Sequence, residues 1–139
     1  MKYLKAKLIS ELCSFFGDDF RRIDHALRVF DESIKILSSY PEEKSDKEIL
    51  TAAALLHDTG IKPSEKKYGY NNGHTQEELG PDEAEKILRK LDFPKEKIKT
   101  VRDIIGNHHS PSKHPYTELE ILKKADRKIN LLEKEKGAS

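Results

Sequence analysis

Ile49-Leu50-Thr51-Ala52-Ala53-Ala54-Leu55-Leu56 runs straight into His57-Asp58 and the loop opener Thr59-Gly60. The apolar run reads as a buried helix. Such a helix must end in groups that water can solvate or that a cation can neutralise. Two metal-binding side-chain types at its mouth are hard to explain as packing. What matters next is whether the rest of the chain brings further ligands to that mouth.

Outward from this segment the hydrophobic periodicity is helical nearly throughout, with no alternating strand and no internal repeat. The spacing predicts a first helix over Tyr3–Phe16, stopped at Gly17-Asp18-Asp19, and a second over Phe20–Ser39, followed by Pro41. A third begins at Ser45, where Ser45 and Glu48 form a capping-box pattern, and ends at the His-Asp pair. A fourth follows Gly80-Pro81, with Pro81 suited to a first turn, and closes near Leu91. A fifth runs from Pro94 to His108, and a sixth starts around Tyr116–Thr117 and fades into the Glu-Lys-Glu-Lys tail. The expectation is an all-α fold: one domain of about six helices over residues 1–139. Two connections are long, Gly60–Gly80 and Gly106–Thr117. Both adjoin candidate ligands, so both are expected to be functional loops.

The 26 basic and 25 acidic residues leave a formal charge of only +1. A nucleic-acid binder would normally show a basic excess. No apolar stretch approaches the roughly 20 residues of a membrane span, and Met1–Lys7 lacks the apolar run of a signal peptide, so a cytoplasmic setting is expected. Cys13 stands alone, which leaves no disulfide framework and no thiolate metal cluster.

The position of Asp126 follows from arithmetic. At about 100° per residue, Leu119, Leu122 and Ile129 mark one face of the last helix, and Asp126 falls on it. A carboxylate aimed into a core is costly unless paired or bound to a cation, and ligation explains it better than a buried ion pair. His25 lies on a border, between the charged arc of Asp24, Arg28, Asp31 and Lys35 and a minor apolar patch of Val29 and Ile36. A cleft wall would run along such a border. Together His25, His57, Asp58 and Asp126 supply two imidazoles and two carboxylates from three helices. That set suits Mn, Fe, Co, Ni, Zn or Mg and contains no soft sulfur ligand.

The order His…His-Asp…Asp resembles the HD superfamily of metal-dependent phosphohydrolases. The likeness rests on His25-Ala-Leu-Arg28-Val29, on Leu55-Leu56-His57-Asp58-Thr59-Gly60 and on Ala125-Asp126-Arg127, and it spans about Arg21 to Leu131. It implies that His25, His57, Asp58 and Asp126 coordinate one divalent ion, with Asp58 also orienting a nucleophilic water. Phosphoryl transfer to water would then use the ion as Lewis acid. Arg28, one turn after His25, would receive phosphate or else pair with Asp24 or Asp31. Members of several branches carry extra histidines for a second metal or for phosphate, which brings in His108, aimed inward by the Ile98, Val101, Ile105 stripe, with His109 at its edge and His74 upstream.

Lys62, Lys66 and Lys67 could meet an anionic substrate, although a solvated run is the ordinary reading of such lysines. Tyr68 and Tyr70 could stack on a base or simply anchor their loop, and His114 reads as solvated. The acidic pair that some branches carry just after the His-Asp dipeptide is missing, and the first carboxylate there is Glu65. The expected activity is hydrolysis of a small phosphorylated compound, a nucleotide foremost. The alternatives are a metal- and nucleotide-binding regulatory module without turnover, or a di-iron oxygenase.

Overall fold

The apolar octet is the centre of the molecule. In the computed structural model, which describes residues 1–137, every residue from Ile49 to Leu56 is buried. Among the described residues there are seven α-helices and no strand. They are α1 (Leu4–Phe16), α2 (Phe20–Leu37), α3 (Lys47–Leu56), α4 (Ile61–Tyr68), α5 (Gly73–Lys90), α6 (Lys95–Ile105) and α7 (Thr117–Gly137), with a 3-10 turn at Glu42–Lys44 before α3. Helix α3 packs against α1, α2, α5, α6 and α7, while α2 and α7 lie along one another beside it. The main core joins Ile49, Leu55 and Leu56 to Ile104 and Ile105 of α6 and to Leu119 and Leu122 of α7. No described helix is long and apolar enough to cross a membrane.

The cap of α3 differs from the expected Ser45–Glu48 box. Asp46 is the N-cap, its side chain accepting from the Ile49 amide at 3.0 Å. Glu48 turns outward to Lys97, at 2.8 Å, and the partner that reaches the Asp46 amide is Glu118 of α7, at 3.2 Å. A carboxylate from another helix thus does the work that a box assigns to a local residue.

The segment 60–80 is not a loop. Helix α4 fills its first half, with Pro63 in the first turn, where no amide is needed, and Gly69 closing it at φ 80°. Helix α5 then starts at Gly73, seven residues earlier than Gly80, because Asn72 and Thr75 cap each other reciprocally. Pro81 therefore lies inside α5 rather than in its first turn. Helix α6 ends at Ile105, short of His108, and Gly106 is its C-cap.

Gly60 is required by close approach. A Cβ there would lie 2.5 Å from the Gln76 carbonyl oxygen, so only glycine lets the turn after α3 sit against α5. Thr59 fastens the same turn, its hydroxyl donating to the Leu56 carbonyl at 2.8 Å. The His57-Asp58 pair is thereby held on a rigid corner.

Candidate metal centre

The expected four residues meet at this corner. His57 is fully buried, and its Nδ1–H donates to the Ala54 carbonyl at 2.7 Å. A carbonyl accepts only, so Nε2 is the nitrogen left to coordinate an ion, and it is buried without any hydrogen-bond partner. Such an atom costs about 1–3 kcal/mol unless something binds it. Around it stand Asp58 Oδ2 at 3.3 Å and Asp126 Oδ1 at 3.4 Å. His25 Nε2 closes the figure, 3.5 Å from Asp58 Oδ2 and 3.1 Å from Asp126 Oδ1.

These separations test whether an ion fits. Donors about 2.1 Å from one ion and about 90–110° apart are themselves about 3.0–3.4 Å apart. His25, His57 and Asp58 can each bring one ligand atom within 4.8 Å of the others, and Asp126 Oδ1 stands 3.1 and 3.4 Å from the two imidazole nitrogens, a nitrogen and oxygen donor set that suits a divalent cation of borderline character.

The electrostatics agree. Burial alone would depress the His57 imidazole, but the adjoining Asp58 and Asp126 carboxylates raise it to about 9. Burial also opposes charge on Asp126, yet the hydrogen bond from His25 and the adjoining His57 imidazole hold it far below the usual carboxylate range. In the metal-free protein, protons thus stand where a cation's charge would be.

Two cavities flank the centre. One, of about 550 Å³, is lined by Arg21, Arg22, Asp24, Arg28, Asp58 and Asn130 among others. The other, of about 560 Å³, is lined by His108, His109, Lys123, Lys124, Asp126 and Arg127 and shares Asn130 with the first. Both present cationic side chains. Arg22 is held by a bidentate pair with Glu65 at 3.0 and 2.9 Å, so the carboxylate nearest behind His-Asp is already engaged.

The histidines expected nearby separate into two groups. His108 is buried and meets the His57 ring, while its Nδ1–H donates to the Ile105 carbonyl at 2.6 Å. Burial first, and then the His57 and His109 charges, push it down to about 4, so it is neutral with a free Nε2 lone pair at pH 7. His109 is exposed and bonds Gln76 Oε1 at 2.7 Å. Asp58, His108 and His109 can each bring one ligand atom within 4.8 Å of the others. Asn107 and Glu77 fix this loop by binding its backbone.

His74 is exposed in the first turn of α5, outside both groups. Lys62 points away from the centre, donating to the Phe16 carbonyl at 3.1 Å, because α4 carries it toward α1. Lys66 and Lys67 are exposed, Tyr68 and Tyr70 stack on each other, and His114 stacks on Tyr116. None of these five lines either cavity.

Arg28 pairs with neither Asp24 nor Asp31 but with Glu133 of α7, at 3.3 Å. Glu133 also accepts from His25 Nδ1 at 2.8 Å. On sequence alone Glu133 belongs to the Glu-Lys-Glu-Lys tail. Its signal was its spacing: Asn130 and Glu133 follow Asp126 by four and seven residues, on one helix face.

A family model described as the HD domain matches residues 22–131. The crystal structure of a predicted HD superfamily hydrolase from an uncultured Thermotogales bacterium is similar, with a TM-score of 0.65 and 28% identity. The match covers 88% of this chain and 66% of that one, so this chain spans just under two thirds of its length. No curated protein matches the sequence.

Proposed function

The chain belongs to the HD-domain family, and from that premise we propose that it is a metal-dependent phosphohydrolase acting on a small phosphorylated compound, a nucleotide foremost. The single observation that carries this reading is the buried, unpartnered Nε2 of His57 facing the Asp58 and Asp126 carboxylates at 3.3 and 3.4 Å, with the His25 imidazole beside them. His25, His57, Asp58 and Asp126 hold the ion. When bound, a divalent ion supplies Lewis-acid polarisation of a phosphoryl oxygen and activates water.

This chain's own residues do the rest. Asp58 opens into the cavity lined by Arg21, Arg22 and Arg28 and orients the attacking water toward the phosphorus. Arg28, on the wall of that cavity, receives the phosphate, with Arg21 and Arg22 adding positive charge around it. His108, neutral and buried beside His57, is placed to pass a proton. A cavity of about 550 Å³ is of the size that holds a nucleotide-sized ligand.

A panel of phosphomonoesters, phosphodiesters and nucleotides, assayed with Mn, Co, Ni and Mg, tests this reading. Phosphate or nucleotide release that disappears in His57→Ala supports it, and release with no metal dependence opposes it. A non-catalytic module that binds metal and nucleotide is the second reading, favoured by the engagement of Glu65 with Arg22. Tight nucleotide binding with no turnover under any metal would select it. The Asp58, His108 and His109 group leaves room for a second ion, which a di-iron oxygenase requires. One ion per chain would exclude that alternative.

A further inference from the structure

Three histidines approach the centre, and only two have their tautomer fixed by their own helix. His57 and His108 lie just beyond the last residues of α3 and α6, where the terminal carbonyls lack intrahelical partners. Each donates its Nδ1–H to the carbonyl three residues back. His25 lies inside α2, Phe20–Leu37, where the carbonyls are consumed by the helix itself. Its Nδ1 therefore needs an acceptor from elsewhere, and Glu133 Oε1 supplies it at 2.8 Å from α7. The other oxygen, Oε2, accepts from Arg28 Nη1 at 3.3 Å, which fixes the carboxylate's orientation.

The consequence is chemical. With Nδ1–H committed to Glu133, Nε2 is the nitrogen left to give a lone pair to an ion, and it stands 3.1 Å from Asp126 Oδ1 and 3.5 Å from Asp58 Oδ2. The opposite tautomer would aim an N–H at the ion's position and remove a ligand. An acceptor behind the ring also holds the imidazole in its coordinating direction. Because Asp126 and Glu133 are two turns apart on one face of α7, the same helix supplies a ligand and the group that orients another.

We propose that Glu133 is the positioning residue of the metal centre, setting the tautomer and direction of His25. The inference rests on the phosphohydrolase reading only for the identity of the four ligands. It places Glu133 behind His25, on the wall of the arginine-lined cavity, where it acts through the imidazole.

The test is Zn²⁺ affinity by competition with a chelator, together with 15N chemical shifts of the His25 ring in the Zn-loaded protein, for Glu133→Ala, Glu133→Asp and Glu133→Gln. Glutamine keeps an acceptor at the reach of Glu133, whereas aspartate keeps the charge but falls one methylene short. The expected order is parent close to Gln, with Ala and Asp weakened on the order of 10- to 100-fold. The parent and Gln variant should show a protonated Nδ1 and a coordinated Nε2. Loss of that pattern in Ala and Asp, with Gln retaining it, would establish the role. Alanine binding Zn²⁺ within twofold of the parent would overturn it, as would an Asp variant at parent affinity beside a weakened Gln variant. If Ala fails to fold, the Asp–Gln contrast decides alone. A parent protein that binds no Zn²⁺ would refute the ligand assignment instead, so the two failures are distinct.

Discussion

His57 and His108 meet edge to face, with ring centroids 5.4 Å apart and planes at 90°. Each has its Nδ1–H tied to the carbonyl three residues back and its Nε2 buried without a partner. The same local device therefore turns two Nε2 atoms toward one centre. Their charges differ because their neighbours differ. Asp58 and Asp126 raise His57 to about 9, whereas burial and the two adjoining histidines depress His108 to about 4.

The raised His57 fixes the sign of a pH effect. Below about 9 the metal-free imidazole holds a proton that an incoming ion must displace. Apparent metal affinity should rise with pH and level off above about 9. Calorimetric titration with Zn²⁺ at pH 7, in buffers of different ionisation enthalpy, should report proton release approaching one per site from His57 alone. Binding without proton release would mean that His57 is not displaced.

His108 separates a working group from a core histidine. Replacing it with Leu removes a buried nitrogen that has no partner, so the thermal midpoint should stay near the parent's or rise. If His108 moves a proton, turnover should fall on the order of 10²-fold while one ion per chain remains bound. Undiminished turnover would return His108 to a packing role.

Gly60 tests the rigid corner. Gly60→Ala would drive a Cβ to 2.5 Å from the Gln76 carbonyl oxygen, and backbone must shift to admit it. Urea unfolding should show a loss of about 1–3 kcal/mol. Metal affinity should fall as well, because Asp58 is two residues away on the same turn. A neutral result would show that the turn has slack that the close packing denies.

Much of this was legible in the chain because burial leaves a periodic trace. The unbroken apolar run of α3 and the inward phase of Asp126 on α7 both follow from a helix's repeat, and they locate three of the four ligands. The segment 60–80 reads as a loop because α4 is short and polar, and the glycines and asparagines that follow it, from Gly69 to Gly73, are loop residues by type. Only Pro63 at its start and Gly69 at its end marked it. The start of α5 was hidden because Asn72 and Thr75 form a cap without the Glu or Gln that normally signals one. Glu133 was missed for another reason. Its role depends on α2 and α7 lying side by side, and that pairing of distant helices leaves no local pattern.

The most direct measurement is the elemental content of purified protein, per chain, for the parent and for Asp126→Asn. The account predicts at least one transition-metal or magnesium ion per chain in the parent, and near-complete loss in the variant with the fold intact. A parent free of metal even after incubation with Mn, Co, Ni, Zn or Mg would contradict it, as would a variant that keeps the parent's full complement.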